Sequence, residues 1–201
     1  MNDEHDHHHE EHEHHHQPYD WRADLLALRE AASHYYRHQF DYHGHLPPDG
    51  WDGPRYYPPA EDWRLTSRLD RDVPGTGQAV RLATSTGQLR DMAVAGQLVF
   101  EASGGEQRLT AFLSHDARGY EVLFVPFRDE TSGNETYGAG RYVEVPYEPD
   151  MDDFELDFNF AYNPSCAYSP AYDCPYPPPA NRLAIPVTAG EKLPFEGDLA
   201  H

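Results

Sequence analysis

The residues able to do chemistry crowd between positions 129 and 192. TSGNETYGAGR (131–141) is a glycine-rich connection that ends on Arg141. LDFNFAYNPSCAYSPAYDCPYPPPANRL (156–183) holds both cysteines, and AGEK (189–192) holds Glu191 beside the chain's one lysine, Lys192. Arg141 is suited to a bidentate contact with an anion, and the loop glycines could turn backbone N–H groups toward the same charge. The loop is not a P-loop: the GK[ST] ending is missing and no helix is expected after it. A plain hairpin loop with glycine at positive φ explains the same residues.

In the run 154–161, strict alternation is expected to put Phe154, Leu156, Phe158 and Phe160 on a core face. Glu155, Asp157 and Asn159 fall on the other face. Asp and Asn form strands poorly, so their pairing there points to a fixed polar cluster. Asp157 or Glu191 is a candidate general base, and Cys166 a candidate nucleophile. A nucleophilic Cys needs an imidazole. His43, His45 and His115 are the candidates; His115 ends an expected strand and could reach the loop, but nothing in the sequence places it there. Buried structural thiols are the plainer account of Cys166 and Cys174. Their separation by seven residues fits zinc poorly, since zinc-binding cysteines usually stand two to four apart. Asp129, Glu135, Asp157 and Glu191 together could offer oxygen ligands to a hard cation, although acids are common in this chain.

Composition sets the background. Fifteen basic residues face 35 acidic ones, for a net charge of −20, and Lys192 is the only lysine. That balance suits a halophilic, archaeal host. It argues against nucleic-acid or anionic-membrane partners, which need a basic surface. No apolar run has transmembrane length and the start is no signal peptide, so a cytoplasmic location is expected. Two cysteines agree with a reducing compartment.

Residues 1–17 form a low-complexity tail, expected to be disordered. Its histidines, His5, His7, His8, His9, His12, His14, His15 and His16, stand among carboxylates. They suit loose, pH-dependent binding of Ni, Zn or Cu. Residues 18–201 should form one domain.

The elements that must position the 129–192 cluster are mostly strands. One helix is expected over 20–40, capped by Asp20, with Trp21, Leu25, Leu28, Ala32 and Tyr35 as its apolar stripe. His34 and His38 share a face of it. The stretch 41–72, rich in Pro, Gly and aromatics, reads as irregular. Strands are expected at 79–85, 89–94, 98–102, 108–114, 120–127, 141–147, 154–161 and 183–188. Tight-turn residues separate several of them. The fold class is mainly β: an antiparallel sandwich or barrel with one N-terminal helix.

PFRDETSGNETYGAGRY, the Asn/Cys/Pro stretch and AGEK together resemble the DUF1684 family, a family of unknown function. The resemblance is sharpest over 124–192, and the start of the chain looks like the family's shorter haloarchaeal members. It implies a shared site and supplies no reaction. It groups Asp129, Glu135 and Arg141 in one element, and Asp157, Asn159, Tyr162, Asn163, Cys166, Cys174, Asn181 and Glu191 in the other. The His-rich tail is not part of the pattern.

The expectation is then a small-molecule pocket between 129–141 and 157–191. Arg141 would anchor a small polar or anionic ligand, with Asp129, Glu135, Asn159, Tyr162, Asn163, Cys174 and Asn181 around it. A hydrolase- or transferase-like enzyme using Asp157, Cys166 or Glu191 in that pocket is the first alternative. Metal handling by the tail is the second.

Overall fold

The computed structural model describes residues 19–195. The His-rich tail and its metal-binding expectation lie outside the described residues.

The helix α1 (Trp21–His38) starts where the Asp20 side chain accepts the Ala23 N–H at 3.1 Å. Trp21 and Leu25 are buried, but Leu28 and Tyr35 are exposed, at 57% and 45%. Beyond Leu25 the inward stripe keeps Ala32 as expected but otherwise passes through Arg29, Ser33 and Tyr36. Steps of four drift only slowly around a helix of 3.6 residues per turn. Arg29, four residues after Leu25, therefore falls under the helix, where apolar counting had placed Leu28.

Seven strands follow: β1 (Arg64–Asp70), β2 (Ala79–Ala83), β3 (Leu89–Ala102), β4 (Gly105–His115), β5 (Glu121–Phe127), β6 (Arg141–Pro146) and β7 (Asp153–Asp157). They form one antiparallel sheet in the order β6-β5-β4-β3-β1-β7, with β2 also on β3. The ends of this sheet approach each other. Tyr142 on β6 and Tyr162, beyond β7, exchange two backbone hydrogen bonds at 2.9 Å. The result is a nearly closed, barrel-like sheet with one helix against it.

Three strand expectations need correction. The runs 89–94 and 98–102 are one strand. The register slips between Val94 and Gly96, and Gly96 has φ +150° with a hypothetical Cβ only 2.5 Å from the Asp70 carbonyl. This bulge bends β3, so its first half pairs with β2 and its second with β1. Residues 64–70, read as irregular, are β1; Leu65, Ser67 and Leu69 share its inward face, with Ser67 and Leu69 buried and Leu65 partly so. Residues 183–188 are not a strand. They form an irregular strap that buries Leu183 and Val187 in the core, and part of its carbonyl set is claimed by Arg141 instead of a ladder.

The run 154–161 also breaks early. The Asp157 carboxylate accepts the Asn159 N–H at 2.9 Å and turns the chain into a single 3₁₀ turn, Phe158–Phe160. Phe154, Leu156 and Phe158 enter the core as expected. Phe160 is only half-buried, and Asp157 and Asn159 are fully buried. Among the described residues no helix is long and apolar enough to cross a membrane.

Candidate functional site

The glycine-rich loop is closed on itself. Asp129 Oδ1 accepts from Thr131 N at 2.7 Å and Thr131 Oγ1 at 2.5 Å, and the Thr131 and Thr136 hydroxyls meet at 2.8 Å. The N–H groups of Asn134, Glu135 and Thr136 all point to the Thr131 carbonyl, and that of Gly133 to Thr136 O. The donors an anion nest would need are therefore already taken, and the nest expectation is not met. The Glu135 side chain is exposed and accepts from Tyr57 Oη at 3.1 Å.

Arg141 has no exposed surface. Its Nη1 donates to Ala189 O at 2.5 Å and Glu191 O at 3.0 Å, and its Nη2 to Val187 O and Asp129 Oδ2, both at 2.9 Å. Burial pulls its pKa down while the Asp129 carboxylate opposes that pull. The 129–141 and 157–191 segments do meet, as expected. The space between them is filled by the guanidinium, which makes Arg141 a clasp on the strap.

Other predicted residues are similarly committed. Asp157 Oδ2 accepts Trp21 Nε1 at 2.7 Å, and its Oδ1 accepts Asn159 N and Nδ2 at 2.9 and 2.8 Å. Asn159 also pairs both ways with the Ala60 backbone, at 2.9 and 2.8 Å. This cluster holds α1 and the start of β1 to the barrel. Asn181 acts as a substitute strand partner: its Oδ1 accepts Thr110 N, and its Nδ2 donates to Thr110 O and Pro126 O, each at 2.8 Å. Asp129, Glu135, Asp157 and Glu191 do not converge. Among the described residues no group of three or more His, Cys, Asp or Glu is arranged to hold a metal ion.

Open space remains on the other side of the strap, beneath α1. Gly190 (φ +75°) brings the AGEK backbone so close to the 3₁₀ turn that a Cβ would stand 2.5 Å from Ala161 O. Glu191 N then donates to that same carbonyl at 2.8 Å. The Glu191 side chain is thereby aimed inward. Its Oε2 accepts Asn163 N at 2.8 Å and Tyr168 Oη at 2.9 Å, and its Oε1 accepts Tyr56 Oη at 3.3 Å. Burial pushes its pKa up to about 7, against the pull of these three donors and of Arg141.

Glu191, Tyr56, Asn159 and Tyr162 line a cleft of about 130 Å³ with Leu25 and Arg29 of α1. Arg29 donates to Tyr57 O at 2.8 Å and Asn159 O at 3.2 Å and lies over the Tyr56 ring at 4.6 Å. Its buried Nε has no hydrogen-bond partner among the described residues. The cleft thus holds a cation with spare donors beside a carboxyl group that titrates near neutrality. Such a combination in a cleft makes it a candidate functional site.

A second reactive group lies beyond Tyr142. Cys166 and Cys174 are free thiols, both buried. The Cys166 N–H donates to Cys174 Sγ at 3.3 Å, and the two thiols hydrogen-bond each other. That contact lowers the Cys174 pKa and raises that of Cys166. The partner thiol and burial dominate both shifts, and the candidate His115 ends β4 opposite Glu121.

Of the predicted set, Tyr162, Asn159 and Glu191 share the cleft, and the Asn163 backbone holds Glu191 there. Arg29, Tyr56 and Tyr168 were missed. Arg29 had a readable signal: a cation placed i+4 from Leu25 and i+8 from Trp21 on a buried stripe. Tyr56 and Tyr168 are two among many tyrosines and carried none.

Comparison with known proteins places the chain. The DUF1684 family, described as a protein of unknown function, matches residues 49–192. The chain belongs to the DUF1684 family. The solution NMR structure of an uncharacterised protein from gene locus rrnAC0354 of Haloarcula marismortui, a haloarchaeon, is similar. It is 35% identical, with a TM-score of 0.65, and the match covers 90% of this chain and 96% of that one. No functionally curated protein matches. In this DUF1684 member the matched region runs from just before Tyr56 to Lys192. It therefore contains the strap, the thiol pair and every cleft residue except those on α1.

Proposed function

We propose that this DUF1684 protein binds a small carboxylate-like anion in the cleft between α1 and the 159–162 and 189–191 segments. Arg29 is the anchor, and protonated Glu191 donates the second contact. The observation that carries the reading is the pairing of an Arg29 Nε without a partner and a neutral-titrating Glu191 in one cleft. The volume, about 130 Å³, falls well below the roughly 300–1,000 Å³ of sites for drug-sized ligands. It therefore suits a ligand of a few heavy atoms. A larger depression, about 680 Å³, is rimmed by Asp116, Glu144, Glu148 and Glu155 and suits an anion less.

That acidic rim adjoins the cleft at Leu28 and Tyr162 and would repel an anion at low ionic strength. The composition supports a halophilic, cytoplasmic setting. In molar salt the Debye length shrinks to about 3 Å, and only groups inside the cleft then matter to the ligand.

Thermal-shift titrations with formate, acetate and phosphate in concentrated KCl test the reading. Acetate or formate should stabilise the wild type, and Arg29→Gln should remove most of the effect. Equal stabilisation of both proteins would contradict it.

A second reading, general acid–base catalysis on a bound small molecule, draws on the same neutral-titrating carboxyl. It requires turnover that Glu191→Gln abolishes while binding at low pH survives.

A further inference from the structure

We propose that Cys174 and Cys166 form a reactive dithiol, in which Cys174 attacks a low-molecular-weight disulfide and Cys166 then closes an intramolecular bond. Three observations carry this beyond two thiols that merely fill space.

The first is proximity. The Cys174 sulfur lies 3.3 Å from the Cys166 backbone nitrogen and is hydrogen-bonded to the Cys166 thiol. An N–Cα bond is about 1.46 Å, so the sulfur is also close to Cα of Cys166. A disulfide, whose Cα atoms stand roughly 4.4–6.8 Å apart, then needs side-chain rotation more than backbone movement.

The second is asymmetry. Cys174 lines an open cleft of about 410 Å³ together with Arg90, Met92, Tyr172 and Pro175. Cys166 accepts a hydrogen bond from the Tyr137 hydroxyl. One sulfur faces a route for a small reagent and the other is held against it. A nucleophile and a resolving thiol need that division.

The third is polarity. The partner S–H, a backbone N–H and the charge of Arg90 favour negative charge on Cys174, against burial and Asp173. Arg90 is fixed along the cleft by Asp173, through its carbonyl at 2.8 Å and its carboxylate at 3.2 Å. The backbone of Cys174 is itself fixed, its N–H donating to Ser85 Oγ at 3.0 Å and its carbonyl accepting Ser85 N at 2.9 Å.

The chemistry balances in two exchanges. Cys174 thiolate attacks one sulfur of R–S–S–R, forms the mixed disulfide and releases one thiolate, RS⁻. Cys166, losing its proton to that leaving thiolate, then attacks Cys174 Sγ and releases the second RS⁻, which takes up the proton Cys174 had shed. The protein dithiol is oxidised by two electrons, and one small disulfide becomes two thiols.

The test exposes the folded full chain to cystine near neutral pH and follows it by intact mass. The wild type should lose two hydrogens and keep no adduct. Cys166→Ala should hold a single cysteine adduct on Cys174, and Cys174→Ala should react at least tenfold more slowly. If the folded wild type keeps both thiols while the unfolded chain reacts, the pair is structural and the proposal fails. It fails equally if Cys174→Ala forms adduct as fast as Cys166→Ala. The wild-type result decides the matter alone if a variant does not fold.

Discussion

The Arg141 guanidinium and the Asp129 carboxylate meet at 2.9 Å with 0% and 1% of their side chains exposed. Removing one member of such a pair strands the other's charge in the interior, which costs about 3–5 kcal/mol. Arg141 also donates hydrogen bonds to the carbonyls of Val187, Ala189 and Glu191.

Arg141→Met should therefore lower stability by at least about 3–5 kcal/mol, seen as a large drop in the midpoint of chemical denaturation. Asp129→Asn should cost less, because the strap bonds of Arg141 survive. The double variant should lose less than the sum of the two, since neither charge is then left without its partner.

Glu191 makes stability depend on pH in a particular direction. Its carboxyl titrates at about 7 in the folded protein, raised from 4.5 by burial. Between those values the folded state holds a proton that the unfolded state has released. Its contribution is therefore full below about pH 4.5, declines as pH rises through 7, and is flat above. Glu191→Gln should remove this slope. At pH 8 the variant should equal or exceed the wild type, by up to about 3 kcal/mol at roughly 1.4 kcal/mol per unit. Denaturation midpoints of both proteins from pH 4.5 to 8 measure the difference.

How far the sequence foretold this follows from where each residue's partners lie. Helix α1 and β4, β5 and β6 were legible because their periodicity and turns are local. β1 was not, since its polar face is covered by nothing in its own neighbourhood and its register is set by β3 and β7. The strap at 183–188 has the composition of a strand, but it makes only scattered backbone bonds to residues 128–130, and its Val187 carbonyl goes to Arg141. The cleft suffered from the same blindness. Glu191 stood out as a carboxylate beside Gly190 in AGEK. Arg29, more than a hundred residues away, became its neighbour only once the barrel placed the helix. Arg141 was noticed for its charge, and only the fold shows that both its Nη atoms bond to internal oxygens.

The histidines of residues 1–17 belong to a separate expectation. Deleting that segment should abolish retention on immobilised Ni or Zn at pH 8 while leaving the thermal shift with acetate unchanged. Loss of the acetate effect on deletion would tie the tail to the cleft.

Proton uptake on ligand binding addresses the cleft most directly. Titration calorimetry with acetate at pH 8, in buffers of different ionisation enthalpy, reports protons taken up per acetate bound. Uptake approaching one proton, vanishing at pH 5.5 and absent in Glu191→Gln, is the predicted result. Acetate binding with no proton uptake at pH 8, or no binding at pH 5.5, would contradict the account.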